Sequence, residues 1–370
     1  MNRRTFLKDT GLATAGIVAG SASPLFAMHT SNKQQMENTA FNRFRPQSKN
    51  GFGGVAIGNG FNEHGNIESL QTVESAWNAG IRYYDTSPWY GLGISERRLG
   101  LFLKDKKREE YVLSTKVGRI LDPHEDFEVT QGIWKGKMNF GYHYDYTAEG
   151  ARRSVEDSLQ RLGVSALDIV FIHDLSPDNG DMKANWTNYF EIARKGAMPE
   201  LTKMREEGLI KGWGLGVNTI EPILKTIEVA DPDIFLSACQ YSLIHHKDAL
   251  DQVFPKVADR DISIVVGAPL CAGFLAGKNR YLYGGDFPSG VKEKLTALQR
   301  VAQNHQVDLR TAALQFSAAP DVVSAVIPGA SNAEQAKQNA LSFEAKIPTS
   351  FWEELKHEKL IEQHAPTLEG

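Results

Sequence analysis

Cysteine is almost absent from this 370-residue chain, which carries only Cys239 and Cys271. That scarcity excludes a disulfide framework and any zinc module built on paired cysteines. An excess of one charge is missing too. Against 45 Asp and Glu stand 41 Lys and Arg, a net charge of −4 with the basic residues scattered, so nothing suggests nucleic acid as a partner. The one mild apolar stretch near the start, residues 11–20, is too short to cross a membrane. The sequence also lacks a nucleophile elbow, a phosphate loop and a metal-ligand cluster. A doubly wound sheet would place G-x-G-x-x-G after its first strand. Gly51-Phe52-Gly53-Gly54 precedes or enters that strand instead.

The first 27 residues are a separate object. A charged start, a short apolar stretch and small residues at Ala22-Ser23 or Leu25-Phe26-Ala27 have the three-part layout of a secretory signal. Arg3-Arg4 followed by Thr5-Phe6-Leu7-Lys8 resembles a twin-arginine export signal, with Asn2 where Ser or Thr is usual. No cysteine follows the apolar run, so no lipid anchor is expected. The expectation is export to the periplasm by the twin-arginine machinery. Residues 28–48, polar and rich in Asn and Gln, read as a flexible lead-in.

From about residue 50, short apolar runs alternate with amphipathic stretches. Strands are expected at residues 54–57, 82–84, 111–115, 168–172, 212–217, 235–239, 263–266 and 322–327. Ile169-Val170-Phe171-Ile172 is continuously apolar, as a parallel strand buried on both faces should be. Thr147 is placed to cap a helix with apolar face Ala151, Val155, Leu159 and Leu162, stopped by Gly163. Pro199 is expected at a first helical position, with Gly208 ending that helix. Strand-then-helix units without a compositional break predict an α/β fold, one (β/α)₈ TIM barrel over residues 49–346, followed by a helical tail at 347–370. Two connections, roughly 118–146 and 174–197, are long enough to cover a site.

The residues at the strand ends carry the chemistry. The second strand leads to Asp85, with Tyr90 a few residues on; the third leads to Lys116 and the fourth to His173. Asn218 and Gln240 follow the fifth and sixth. Polar groups gathered at one rim must pair with each other or with a ligand. Tyr90 is the candidate general acid/base, Lys116 the cation expected to draw its phenol toward neutrality, and Asp85 the carboxylate holding Lys116. His173 would orient a carbonyl or hydroxyl oxygen. A proton relay with no nucleophile suits hydride transfer, in which a cofactor does the difficult step.

Tyr84-Asp85-Thr86-Ser87-Pro88-Trp89-Tyr90-Gly91, then Ser95-Glu96-Arg97-Arg98-Leu99-Gly100, Val112-Leu113-Ser114-Thr115-Lys116 and Phe171-Ile172-His173-Asp174 resemble the signatures of the aldo-keto reductase superfamily. The likeness covers residues 50–345. It is nearest to the bacterial sugar and pyridoxal dehydrogenases, through Ser154 to Gly163, Gly214-Leu215-Gly216-Val217-Asn218 and the stretch from Gly267 to Leu275. The resemblance implies a nicotinamide cofactor, NAD(P), and a small sugar-like or carbonyl substrate. It puts Asn218 and Gln240 on the carboxamide, Pro269 and Leu270 along the pyrophosphate, and residues 328–339, among them Gly329, Ser331, Gln335 and Asn339, at the adenosine end. Many relatives stack a Tyr on the nicotinamide where Gly267 stands. Many NADP-using ones have Lys where Gly329 stands and Arg where Gln335 stands. A 2′-phosphate is best held by such cations, so their absence leans toward NAD.

Other residues receive plainer readings. Trp89 is expected to line the pocket, His245-His246 to start a solvated helix, and the two cysteines to be buried thiols. Asn185-Trp186-Thr187, a glycosylation pattern, carries no weight beside a bacterial export signal. Two rival functions are a non-catalytic nicotinamide-binding regulatory barrel, and a glycosidase needing two facing carboxylates. Asp174 would supply one carboxylate, but no acid ends the seventh strand.

Overall fold

The computed structural model describes residues 43–129, 132–284 and 286–368. The expected signal, residues 1–27, and most of the lead-in lie outside the described residues. In chain order the strands are β1 (Gly51–Gly53), β2 (Tyr83–Asp85), β3 (Val112–Val117), β4 (Arg119–Pro123), β5 (Phe140–Tyr144), β6 (Ile169–His173), β7 (Gly212–Val217), β8 (Ile234–Ala238), β9 (Ser263–Gly267) and β10 (Val323–Ile327). All but β4 and β5 form one sheet in the order β1-β2-β3-β6-β7-β8-β9-β10. Its pairings are parallel, and parallel bridges Asn50–Val326 and Gly53–Gly329 join the two edges. This is the expected (β/α)₈ barrel.

The first strand lies upstream of its expected place. Gly51–Gly53 pairs with Tyr83–Asp85, and the stretch 54–57, expected as strand, runs instead into the 3₁₀ turn Ala56–Gly58. Crowding explains the glycines, because a Cβ on Gly53 would stand 2.7 Å from the Ile327 carbonyl oxygen. β2, β3 and β6 each run further than expected, so Asp85, Lys116 and His173 sit within strands rather than after them. The connection 118–146 is largely an antiparallel hairpin of β4 and β5, not an irregular loop. The connection 174–197 contains the helix Trp186–Lys195.

Helix punctuation follows the sequence in most places. Thr147 Oγ1 accepts the Gly150 N–H at 3.1 Å, and Gly163 ends the helix Ala148–Leu162 with φ of 64°. Ala151, Val155 and Leu162 are buried there. Pro199 is the third residue of the helix Ala197–Glu206, not the first. Arg43 bonds the Pro232 carbonyl and Asp231, and Arg45 bonds Asp261, so the end of the lead-in is fastened beneath the barrel. The tail forms the helix Thr349–His357, with Phe351, Trp352 and Leu355 buried. His246 is buried, not solvated: its Nδ1 meets the Ser242 carbonyl at 2.9 Å, and its Nε2 accepts the Glu362 N–H at 3.1 Å. Both cysteines are free thiols; Cys271 is buried and Cys239 partly so.

Candidate active site

Period-two alternation decides which strand residues reach the barrel interior. Tyr83, Ile169, Phe171, Leu236 and Ile327 pack together inside, whereas Tyr84, Leu113, Val117, Val170 and Ile172 belong to the layer under the helices. Asp85 shares the parity of Tyr83, and His173 that of Phe171. Lys116 lies between the outward Leu113 and Val117 on the parity of Ser114. The three are therefore the uppermost inward residues of neighbouring strands β2, β3 and β6.

Lys116 Nζ donates to Asp85 Oδ2 at 2.7 Å and to the Thr86 carbonyl at 2.8 Å. Ser114 Oγ donates to Asp85 Oδ1 at 2.7 Å. Gly216 on β7 leaves room for the lysine stem, since a Cβ there would lie 3.4 Å from Lys116 Cε. Burial raises the Asp85 carboxyl and lowers the Lys116 ammonium from their ordinary values, while attraction between the two opposes both shifts.

Tyr90 departs from expectation. Burial pushes its hydroxyl well above the ordinary phenol value; Asp85 and Asp174 push the same way, and Arg119 opposes them. Lys116 does not bring it toward neutrality, because Asp85 beside the ammonium offsets its field. Tyr90 consequently keeps its proton at neutral pH. His173 is held well below the ordinary imidazole value by burial and then by the charges of Lys116 and Arg119, so its ring is neutral. Ser87 Oγ accepts the Trp89 N–H at 3.1 Å and lies 3.0 Å from His173 Nδ1. With the Ser87 proton turned to Nδ1, the ring nitrogen left as donor would be Nε2. The Tyr90 and His173 ring centres are 5.8 Å apart. One group able to give a proton thus stands beside one able to donate a hydrogen bond to the same oxygen.

Two cavities meet at this point. One of about 230 Å³ is walled by Lys116, His173, Trp89, Trp134, Tyr142 and Arg119. A groove of about 670 Å³ runs from Asp85 past Gly267, Pro269 and Leu270 to the helix Ala333–Ser342. Tyr90 and Tyr283 belong to both walls.

The residues expected at a cofactor divide between these spaces. Pro269, Leu270, Gly329, Ser331, Gln335 and Asn339 all line the groove. Asn218 lies on the wall of the smaller cavity, its Nδ2 bonded to Asp178 Oδ2 at 2.9 Å. Gln240 lines neither space; its Nε2 donates to the Asn218 carbonyl at 2.5 Å.

Residues 50–358 match the model of the aldo/keto reductase family. The chain belongs to that family. It is 34% identical over 327 residues to D-threo-aldose 1-dehydrogenase of a Pseudomonas species, covering 84% of this chain and 94% of that one. It is 33% identical over 329 residues to pyridoxal 4-dehydrogenase of Microbacterium luteolum, with the same coverage of 84% and 94%. Among solved structures, the holo form of aldo-keto reductase AKR11C1 from Bacillus halodurans superposes with a TM-score of 0.64 at 24% identity, over 87% of this chain and 99% of that one. Glycerol dehydrogenase AKR11B4 from Gluconobacter oxydans does so at 0.63 and 21% identity, over 89% and 97%. At those identities the likeness speaks for the fold.

The aldo/keto reductase barrel makes a nicotinamide dinucleotide the expected guest of the groove, and the lining suits one. A Cβ on Gly329 would find only the Gly53 carbonyl oxygen within 4 Å, at 3.6 Å, so the floor there is open. The helix Ala333–Ser342 begins at the far end, with Asn332 as its cap. Gly267 supplies no ring, and a Cβ there would already lie 3.0 Å from Ala238 Cβ. Beside Tyr90, the junction holds a second aromatic, Tyr283, 44% exposed, from the segment after β9.

Sequence reasoning does not mark Arg119, Tyr142 and Trp134, which wall the smaller cavity, and it offers Asp174, on the same wall, only as a carboxylate for the rival glycosidase reading. Arg119 immediately follows β3 and Gly118, and that position past a strand end was the available signal. Arg98 had been grouped with a signature and is structural: its guanidinium bonds the Ile57 carbonyl at 2.7 Å, Asn59 Oδ1 at 2.7 Å and the His64 carbonyl at 2.6 Å, bracing the segment after β1.

Proposed function

We propose that the protein interconverts a carbonyl and an alcohol on an aldose or similar small polar substrate, with Tyr90 as general acid/base and NAD as the preferred cofactor. The observation that carries this reading is the meeting of groove and cavity at Tyr90, beside His173. Bound in the groove, the nicotinamide would supply or accept the hydride. In reduction, Tyr90 gives its proton to the carbonyl oxygen while the His173 Nε2–H hydrogen-bonds that oxygen. In oxidation, the hydroxyl proton returns to Tyr90. Asp85, itself fixed by Ser114, holds Lys116 in position together with the Thr86 carbonyl.

The preference for NAD rests on the adenosine end. Gly329 and Gln335 bring no cation, and Gln335 Oε1 is occupied by the Ser331 N–H at 2.9 Å. Arg310 lines this end as a cation, its two terminal nitrogens bonded to Gln338 Oε1 and Asp308 Oδ2 and its Nε without a partner among the described residues. The substrate reading draws on the names of the two relatives and on the aromatic and carboxylate lining of the smaller cavity. Residues 1–27 extend the proposal to a periplasmic location.

The test is a spectrophotometric assay of NADH and NADPH turnover across a panel of aldoses and other carbonyls. Full activity in Tyr90→Phe would sink the assignment of roles. Mass measurement of protein recovered from the periplasm tests export and cleavage.

A further inference from the structure

The smaller cavity contains a buried ion pair that the proton relay does not use. Arg119 NH1 donates to Asp174 Oδ2 at 2.8 Å, and NH2 donates to the Tyr144 hydroxyl at 2.9 Å. The arginine side chain is only 5% exposed, and its guanidinium lies 4.5 Å from the Trp89 ring centre. Its Nε is buried and has no hydrogen-bond partner among the described residues. A buried unpaired donor on a cavity wall is costly unless a ligand satisfies it.

Asp174 is held with comparable care. Its φ of 48° places a non-glycine residue in the left-handed region. Three hydrogen bonds fix the backbone there: Asp174 N–H to the Gly216 carbonyl at 2.9 Å, Tyr146 hydroxyl to the His173 carbonyl at 2.8 Å, and Asn179 Nδ2 to the Asp174 carbonyl at 3.0 Å. Asp174 Oδ1 lies 3.4 Å from His173 Nε2, next to where the reacting oxygen would sit. A carboxylate oxygen adjoining the reaction centre is therefore paired with a cavity-wall cation that keeps one N–H unused behind the surface.

Resting on the oxidoreductase reading above, we propose that Arg119 and Asp174 form a clamp for vicinal hydroxyls and select neutral polyhydroxy substrates. A hydroxyl beside the reacting carbon donates to Asp174, and its neighbour accepts from the Arg119 guanidinium, which turns to bring its unused Nε–H to the cavity on binding. The faces of Trp89 and Trp134 cover the carbon skeleton. The clamp also rejects anions. Arg119 is neutralised by Asp174, Lys116 by Asp85, and Asp178 and Asp181 add two more carboxylates at the exposed rim. A sugar phosphate or uronate would meet a net negative wall.

The test uses the NAD(P)H-loaded protein and reduction of glyceraldehyde, propanal and glyceraldehyde 3-phosphate, which share a carbon frame and differ in hydroxyls and charge. Glyceraldehyde should be preferred to both others. In Arg119→Lys and Asp174→Asn, the selectivity for glyceraldehyde over propanal should fall about 10- to 100-fold, mainly through KM. If Asp174→Asn fails to fold with its arginine unpaired, the double variant Arg119→Met/Asp174→Asn removes both charges together and should show the same loss. Unchanged selectivity, or wild-type preference for propanal or the phosphate, overturns the clamp while leaving the oxidoreductase reading intact. Saturation-transfer NMR with threitol, which presents only hydroxyls, separates the two ideas. Threitol binding that disappears in Arg119→Lys upholds the clamp even if no carbonyl is turned over, and binding indifferent to Arg119 refutes it.

Discussion

The ammonium of Lys116 lies 4.4 Å from the centre of the Tyr90 ring, over its face, while its hydrogen bonds go to Asp85 and Thr86. The two residues therefore have separable roles. Tyr90→Phe removes a hydroxyl without stranding a charge, so kcat should fall about 10²- to 10⁴-fold with little change in folding. Lys116→Met leaves Asp85 buried and unpaired, which costs about 3–5 kcal/mol. Chemical denaturation should rank Lys116→Met well below Tyr90→Phe. Equal stabilities would mean that the pair is not the buried unit described.

The pH dependence follows from the directions of two shifts. Tyr90 is raised and His173 lowered, so neither changes charge between the ordinary values of the two groups, roughly pH 6.5 to 10. The reductive kcat/KM should be flat from about pH 6.5 upward, with Tyr90 protonated and His173 neutral, until Lys116, lowered from its ordinary value by burial, gives up its proton. A titration step near the ordinary histidine value that is absent in His173→Gln would show the imidazole charging, against the burial argued here.

At the adenosine end, Gln335 lies in the first helical turn beyond the Asn332 cap and faces the groove. Gln335→Arg would add a cation where a 2′-phosphate would lie. Affinity for NADPH relative to NADH should rise about 10- to 100-fold, read by fluorescence titration of the protein with each nucleotide. An unchanged ratio would place the 2′ position elsewhere.

The barrel and the tetrad were legible because each signal is local. Alternation puts Asp85, Lys116 and His173 on inward positions of buried strands, and ionisable residues in such runs stand out. β1 was misplaced because its glycines carry no hydrophobic signal; they are there because Ile327 and Tyr83 crowd them. The phenol shift of Tyr90 was not legible, since it depends on burial and on Asp174 and Arg119, groups distant in sequence. Arg119 and Asp174 meet because they continue the parallel β3–β6 register, in which Val117 pairs with Ile172, two residues further along. Which strands are neighbours, and in what register, is a tertiary fact that spacing along the chain does not give. His246 was misread for the same reason, as its partner Glu362 lies 116 residues away.

Tyr283 stands where the groove and the cavity join, and Gly267 contributes no ring there. Tyr283→Leu should weaken NADH binding about 3- to 10-fold, the range for loss of an aromatic stacking contact. Titration of protein fluorescence with NADH measures this directly. Binding as tight as wild type would leave the nicotinamide without an aromatic partner from this segment.

His246 gives the fold an acid limit. Its Nδ1–H is committed to Ser242 and its Nε2 must stay unprotonated to accept the Glu362 N–H. Burial, followed by Lys294, His245 and His364, pulls its pKa down to about 4 from the ordinary imidazole value of about 6.5, with the Ser242 hydrogen bond partly opposing. Between these values the unfolded chain binds a proton that the folded chain does not, so stability rises with pH there. The contribution is complete above about pH 6.5 and is lost as pH falls toward 4, amounting to about 3 kcal/mol at the acid end. Denaturation free energies measured across that window should fall more steeply for the wild type than for His246→Gln. The variant starts from lower stability because it loses the fit to Ser242 and Glu362, and the two curves should converge at the acid end. Parallel curves would mean that other groups set the acid limit, and that His246 serves only to pin the tail.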